Sequence, residues 1–556
     1  MAFASALLSI ATLAFSEPLQ KPEVNEPARR RQRPTVVINV GTVDPCYETV
    51  DAECDGVPDD VQNVSPYSAT QLVDRARLGG RLDPAVRTGD LTGVVASGDP
   101  IEVEFPTTVV ESNETTLYRI SRDGTVDTIL RTSDEVAGNP GARVLTVSGP
   151  SVTSFGELAF LATTAHEAED GAAVLRSGVY VASPDGSVRT VAVEGEGAPG
   201  GLLYETIAGL PTMAEGEVVG FGATLTDESG NSRFALLVSE GDEVTVRAIE
   251  GQAVSGITGA VLAPAIEAVG VSEEGPFAVA GPSFRGAINA DGDLAFRSRL
   301  TAPDGTATEL RTDTALLLST RSGVRVLARE GDSVPAFGER RLADFQDASQ
   351  LVINENGDVG TPVGLEGTVP SSALVVFATD GTITTLAEEG ETASADLNAV
   401  FGRFTRDPLA VLQIGSPPAD PQLTLNDTGQ VAFVTEILLT RDVLEDEGPH
   451  FGLDALFAVD ADGTRTLLYH EGGLLRSPGF GDREIVSLFV AQQALTDAGL
   501  LTFGASFTDG TEGIFTVNPF AEVPIPASAL LLAPVFGFGG IARARARRRR
   551  RVGARR

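Results

Sequence analysis

The stretch LTLNDTGQVAFVTEILL, Leu423–Leu439, followed after an insertion by ALFAVDADGTRTLLYHEG, Ala455–Gly472, decides how the rest of the chain is read. Four short strands are predicted in it: Leu423–Leu425, Gln430–Glu436, Ala455–Val459 and Thr464–Tyr469. Each is rich in Val, Leu, Phe or Thr, or alternates apolar with polar, as a sheet with buried faces requires. Asp427-Thr428-Gly429 turns the first strand into the second. Asp462-Gly463 is expected to make a two-residue hairpin turn with positive φ at both residues. Glu471-Gly472 closes the unit.

The same unit recurs along most of the chain. Asn289, Gly292 and Phe296 (NADGDLAF) repeat the spacing of Asn426, Gly429 and Phe433 (NDTGQVAF). Looser copies are Thr153-Gly156-Phe160, Thr496-Gly499-Phe503 and Asn354-Gly357 with Thr361 in place of Phe. A further copy with Gly216 and Phe221 is one residue out of step. The hairpin recurs at Asp123-Gly124, Asp185-Gly186, Gly241-Asp242, Ser322-Gly323 and Asp380-Gly381, and the closing pair at Glu194-Gly195, Glu250-Gly251, Glu330-Gly331 and Glu389-Gly390. Asn and Gly suit a turn that needs a side-chain hydrogen bond and a positive φ. The Phe should point into the layer between sheets.

One four-stranded sheet cannot bury both faces alone, so neighbouring units must stack. The period, somewhat above the ~40–45 residues of a minimal blade, favours an all-β chain folded as a β-propeller of about seven blades, with six or eight as the other counts. A β-solenoid or stacked sandwiches is the runner-up. Units fall near 90–135, 143–199, 204–255, 256–335, 336–395, 396–478 and 480–518. The last shows only three clear strands, so the first unit is expected to supply its fourth and close the ring.

Outside the repeats, residues 1–16 read as a signal peptide without the usual basic start, so either the start is misassigned or the signal is weak. Residues 17–89 read as a polar, Pro-containing linker, with a short helix over Ser68–Leu82. Within it, Cys46 and Cys54 are the two Cys of the chain, and in an exported protein a local disulfide is the favoured reading over two free thiols. Asp51, Glu53, Asp55 and Asp59 with the Val57 carbonyl stand at the alternate positions around Gly56 that a Ca²⁺ loop uses. The alternative is an acidic surface turn. The string DGVPDDVQN resembles the acidic repeats of the thrombospondin type-3 class, with Gln62 where an acidic ligand is expected. Residues 519–556 carry Val523-Pro524-Ile525-Pro526-Ala527, an apolar run through Ala542, and nine Arg from Arg543 onward. The run is predicted to be a transmembrane helix with its Arg tail cytoplasmic and the acidic body outside.

The repeat pattern resembles the bacterial tandem-repeat surface proteins named for their NxxGxxxF repeat. The tail resembles the VPLPA class of the PEP-CTERM sorting signals, with Ile525 replacing Leu. These resemblances imply an exported protein at the cell surface or in the extracellular matrix. They also imply transient anchoring in the inner membrane and cleavage near Val523–Ala527 by an exosortase-type enzyme.

The formal charge is −36, and nine of the 41 basic residues lie in the tail, so the body is more acidic still. That argues against nucleic acid as partner. The three His, His166, His450 and His470, match no short zinc motif and are read as ordinary surface or turn residues; neither a nucleophile elbow nor a phosphate loop is present. The favoured function is a non-catalytic scaffold, adhesin or matrix component, meeting extracellular polysaccharide or surface proteins. The insertions at 256–286 and 437–454 are its candidate contact loops. The alternative is a secreted propeller enzyme, a glycan lyase or hydrolase, with acidic groups gathered at the channel.

Overall fold

The structure, a computed structural model, describes residues 69–521 apart from internal stretches, the longest being 264–282, 302–313, 405–421 and 440–451. Its strands form seven antiparallel sheets, each built on four strands. Blade 1 holds Arg81–Pro84, Leu91–Glu104, Val109–Ser121 and Val126–Arg131. Blade 2 holds Arg143–Val152, Leu158–Glu167, Ala173–Ala182 and Val188–Val193, and blade 3 Leu202–Ala214, Val218–Thr226, Ser232–Glu240 and Glu243–Ile249. In blades 4, 5 and 6 the first strand is interrupted: Val261–Leu262 with Ser283–Ile288, Arg341–Leu342 with Val352–Ile353, and Ala399–Phe401 with Gln422–Leu425. Each pair lies along one side of the second strand, so the insertions loop out of a single broken strand.

Consecutive sheets pack face to face. In Val431–Leu439, the second strand of blade 6, Phe433 and Ile437 pack toward blade 5 with Leu374 and Phe401, while Ala432 and Val434 pack toward blade 7 with Ile485 and Phe503. Both faces are dry, which is why this strand reads as an apolar run rather than an alternation. The repeated Phe lies where the spacing puts it: Phe296 and Phe433 are fully buried, and the ring of Phe433 stacks 5.3 Å from Phe457. Blade 5 has Thr361 at this position because the buried guanidinium of Arg297 reaches over from blade 4 and donates to the Thr361 hydroxyl.

The ring closes through the N-terminal end of the described chain. Blade 7 runs Gly481–Phe489, Leu501–Phe507 and Glu512–Val517, and its fourth strand is Thr70–Asp74, antiparallel to Glu512–Val517. Thr70–Asp74 also touches Val109–Ser121 of blade 1. Sharing was expected, but the donor lies ahead of the first unit, in the stretch read as helix and linker. Strands Thr70–Asp74 and Arg81–Pro84 replace the expected helix over Ser68–Leu82. TQLVD alone suits either state, and the unpaired edge of Glu512–Val517 decides it, because tertiary pairing outweighs a weak local propensity.

A second correction concerns the hairpins. Gly463 has φ of 86° and donates to the Asp460 carbonyl, while Asp462 keeps a negative φ. The turn is therefore a type I turn followed by a left-handed Gly, with Asp462 Oδ1 accepting the Thr464 N–H at 2.8 Å. The same turn forms at Gly186 and Gly381. The signal peptide, the Cys pair, the Ca²⁺ loop, the Asp123-Gly124 hairpin and the C-terminal segment lie outside the described residues. Among the described residues, no helix is long and apolar enough to cross a membrane.

Candidate functional site

The repeat signature is a connector between blades. In the turn between the first and second strands of blade 5, Asn354 Oδ1 accepts the Asp358 N–H at 2.8 Å, and Gly357, at φ of 79°, donates to the Asn354 carbonyl. The amide nitrogen donates both to the Asp358 carboxylate within the turn and to the Asn426 carbonyl of blade 6, each at 3.2 Å. The Asn289 amide donates to the Asn354 carbonyl at 3.3 Å, and that of Asn426 to the Thr496 carbonyl of blade 7 at 2.8 Å. A second rail runs beside the first. Ala290 N–H donates to the Glu355 carboxylate at 2.7 Å, Glu355 N–H to Asp427 at 2.7 Å, and Asp427 N–H to Asp497 at 2.9 Å. Gln493, held at φ of 58°, reaches from blade 7 to the Ile288 carbonyl of blade 4 at 3.5 Å, which places these first strands at the axis. The blade-3 copy is out of step because Glu217, at φ of 61°, takes the left-handed position that Gly holds elsewhere.

The closing pair is also structural. Glu194, Glu250, Glu330, Glu389 and Glu471 each donate their N–H to a main-chain carbonyl of the third strand of their own blade, those of Ser177, Phe234, Thr314, Ser372 and Asp454. Their carboxylates return to that residue or its hydroxyl: Ser177 N–H at 2.8 Å, Phe234 N–H at 3.3 Å, Thr314 Oγ at 3.0 Å, Ser372 Oγ at 2.9 Å and Asp454 N–H at 3.3 Å. The following Gly takes φ between 76° and 83° and donates into the first strand of the next sheet. Only a residue without Cβ makes that reversal without strain.

Blade 6 departs from the pattern. Its cross-strand pair Glu436–Asp454 stands where the other blades pair Thr163 with Ser177, Thr224 with Phe234, Arg299 with Thr314 and Gly364 with Ser372. Gly452 and Gly402 leave room for the Glu436 side chain; a Cβ on Gly452 would sit 1.9 Å from its Oε1. Burial, then the neighbouring Asp454, raises the Glu436 pKa above the ordinary carboxylate range. Burial raises Asp454, and burial followed by the Asp454 charge raises Glu471. His470, expected at the surface, is only 4% exposed; burial lowers its pKa, and Nδ1 lies 2.8 Å from the Glu471 carbonyl. His166 lies half-buried on the second strand of blade 2, and His450 is outside the described residues.

A raised carboxylate pKa costs stability as pH rises. Between the unfolded pKa, about 4, and the raised folded value, the unfolded chain holds fewer protons than the native one, so stability falls across that window. Asp454→Asn is therefore expected to raise the urea unfolding midpoint at pH 7 and to leave it unchanged below about pH 4, where both side chains are neutral. A midpoint gain that persists unchanged into acid would refute the assignment.

A pocket of about 400 Å³ opens where the outer strand of blade 5 hands over to blade 6, lined by Phe337, Thr385, Glu388, Glu389, Gly390 and Glu391. Arg340 pairs with Glu388 at 2.5 Å and sits 5.4 Å from the Phe337 ring centre. Arg465 pairs with Glu391 at 3.0 Å while lying 4.5 Å from the Phe401 ring centre, and Arg403 stands 3.8 Å from Glu389. Thr385 Oγ is buried without a hydrogen-bond partner among the described residues. Nothing in the repeat pattern flagged this seam, since only Glu389 and Gly390 belong to a repeated pair.

Of the residues singled out in the sequence, Asn289, Gly292, Phe296, Asn426, Gly429 and Phe433 are brought together by the ring as turn and core elements. Asp51, Glu53, Asp55, Val57, Asp59, Cys46, Cys54 and Val523–Ala527 lie outside the described residues, as does most of both expected contact loops.

A family of unknown function, DUF7453, matches residues 280–530, the part of the chain that carries the Asn connectors of blades 4 to 7. No curated relative matches the chain. Among solved structures, a Trypanosoma rangeli sialidase in complex with the inhibitor DANA is similar at 10% identity and a TM-score of 0.27, covering 85% of this chain. The chain spans 57% of that sialidase's length. A Penicillium chrysogenum α-L-arabinanase complexed with arabinobiose is similar at 12% identity and a TM-score of 0.27, covering 69% of this chain and 95% of that one. The sucrose-6-phosphate hydrolase of Lactobacillus gasseri is similar at 11% identity and a TM-score of 0.22, covering 82% and 93%. The fold assignment rests on the strand pairing of the chain itself.

Proposed function

We propose that this chain is an exported, surface-sorted, non-catalytic propeller that serves as a scaffold, adhesin or matrix component. The observation that supports it is the use of the repeated polar residues. Asn289, Asn354 and Asn426, the acids beside them and the five closing Glu are all engaged in bonds that hold strands and blades. What repeats maintains the ring, and ligand contact falls to what differs between blades.

The sequence features outside the described residues complete this reading. The Val523–Ala527 motif, its apolar run and the Arg tail would hold the protein in the inner membrane until an exosortase-type enzyme cuts it. The acidic loop with Asp51, Glu53, Asp55, Asp59 and the Val57 carbonyl would bind Ca²⁺ and stiffen the approach to the ring beside a Cys46–Cys54 disulfide. Extracellular polysaccharide or surface proteins are the partners this address provides.

The test is the mass and C-terminal sequence of the mature protein recovered from its host. A terminus near Val523–Ala527 in the extracellular fraction is expected. An intact Arg tail in the membrane fraction would refute sorting.

A second reading, a glycan-cleaving enzyme, is favoured by one specific observation. Glu436 and Asp454 form an adjacent cross-strand carboxylate pair whose pKa values are raised by burial, and a carboxyl that holds its proton to higher pH than usual can serve as a general acid. Incubating the purified chain with neutral and acidic polysaccharides separates the two readings. New reducing or unsaturated ends that vanish in Glu436→Gln would establish the enzyme; none are expected.

A further inference from the structure

The pocket at the seam of blades 5 and 6 has the size and chemistry of a ligand site. Its volume of about 400 Å³ lies within the range of small-molecule sites and suits roughly one or two hexose rings. Three carboxylates line or edge it, and three guanidinium groups lie against them. The charges therefore balance, so neither a free metal ion nor an anion finds an uncompensated partner.

The groups are also held in place. Glu388 is pinned by Arg340, Glu389 accepts from the Ser372 hydroxyl at 2.9 Å, and Glu391 accepts from Arg465. A carboxylate has about four acceptor positions, and a single ion pair leaves some of them for hydroxyl donors. Thr385 lines the pocket, and its Oγ is buried there without a partner among the described residues, a hydroxyl that a ligand seated against it would satisfy. Phe337, only 6% exposed and with Arg340 over its ring, backs the pocket with apolar surface. Hydroxyl donors and acceptors around one ring, with an apolar C–H face, describe a neutral sugar.

We infer that the seam pocket binds a neutral saccharide. This deepens the scaffold reading by naming the ligand class, and it rests on that reading only in that the sugar is held and not cleaved.

The test uses the intact chain with methyl glycosides of glucose, galactose and mannose, N-acetylglucosamine and galacturonic acid as probes. Saturation-transfer NMR detects contact and calorimetry gives affinity. At least one neutral probe is expected to bind, with galacturonic acid weaker. Thr385→Val, which preserves shape and breaks no bond within the protein, is expected to weaken the neutral probe about tenfold without lowering the unfolding midpoint. Glu388→Gln is expected to weaken it as well. No transfer to any neutral probe, tighter binding of galacturonic acid, or an unchanged affinity in Thr385→Val would each overturn the inference. Cleavage of a bound glycoside would support the pocket as a sugar site and overturn the non-catalytic reading, so the two fail separately.

Discussion

A chain that begins at Ala76 is expected to lose the closed ring, whereas one that begins at Tyr67 keeps it. The two differ by the strand Thr70–Asp74 and its flanks. That strand pairs with Glu512–Val517 through Thr70 to Thr516, Gln71 to Phe515, Val73 to Ile514 and Asp74 to Gly513. Just ahead of it, Ala69 is buried and donates its N–H to the Arg476 carbonyl at 3.1 Å. At about 1 kcal/mol per backbone hydrogen bond, the ladder alone is worth roughly 3–5 kcal/mol. Losing it also opens blade 7 beside Ile514 and Phe515, both fully buried, and leaves an exposed strand edge. The shorter chain should unfold at lower urea, be cut by protease within blade 7, and associate through that edge. A synthetic peptide covering residues 66–76 should restore part of the lost midpoint. Equal midpoints for the two truncations would refute closure by this strand.

Asn354→Ala is expected to cost about 1–3 kcal/mol of stability, a large effect for one side chain in a turn. Asn354 is 4% exposed, and its side chain serves both the turn and the next blade: Oδ1 accepts Asp358 N–H, and the amide nitrogen donates to the Asp358 carboxylate and to the Asn426 carbonyl. Removing the side chain strands the half-buried Asp358 N–H, which then carries its desolvation cost, and takes one of two donors from the Asn426 carbonyl, which keeps the Gly429 N–H at 3.2 Å. The chain itself supplies the control. Thr153 and Thr496 hold the same turn position, and their hydroxyls accept the turn N–H at 3.2 and 2.9 Å. Asn354→Thr should therefore keep the bond within the turn, lose the one to the next blade, and fall about halfway in urea midpoint between native and Asn354→Ala. If Thr behaves like Asn, the connector between blades contributes nothing measurable.

These two predictions concern parts of the molecule that the sequence disclosed unequally. The Asn turns were visible because identical residues recur at a fixed spacing, and a tight turn leaves few residue types able to fill it. That the Asn amide bonds the next blade was not visible, since the partner is a main-chain carbonyl 65 to 72 residues away with no side-chain signature. The closing strand was hidden for a related reason. Five residues of mixed character, Thr70–Asp74, carry too little local preference to resist an open sheet edge, and only the position of that edge makes them a strand.

The candidate site divides the same way. Glu436 and Asp454 can be found in the sequence once the strands are aligned, because two acids face each other in a register where the other blades have small, neutral, apolar or basic residues. The seam pocket leaves no such trace. Phe337, Arg340, Thr385, Glu388, Arg403 and Arg465 come from separate stretches and share no spacing; they meet because blade 6 packs against blade 5.

By itself, then, the amino-acid order determined the repeating four-stranded unit, the identity of its turn and core residues, and a propeller of about seven blades, because periodic hydrophobicity and turn chemistry act over a few residues. The tertiary structure decided which strand closes the ring, how each blade is fastened to the next, that the Asp-Gly hairpins use a single left-handed residue, and where charged groups from distant stretches converge. Those outcomes depend on which edges and faces become neighbours, and that is set by the packing of whole sheets.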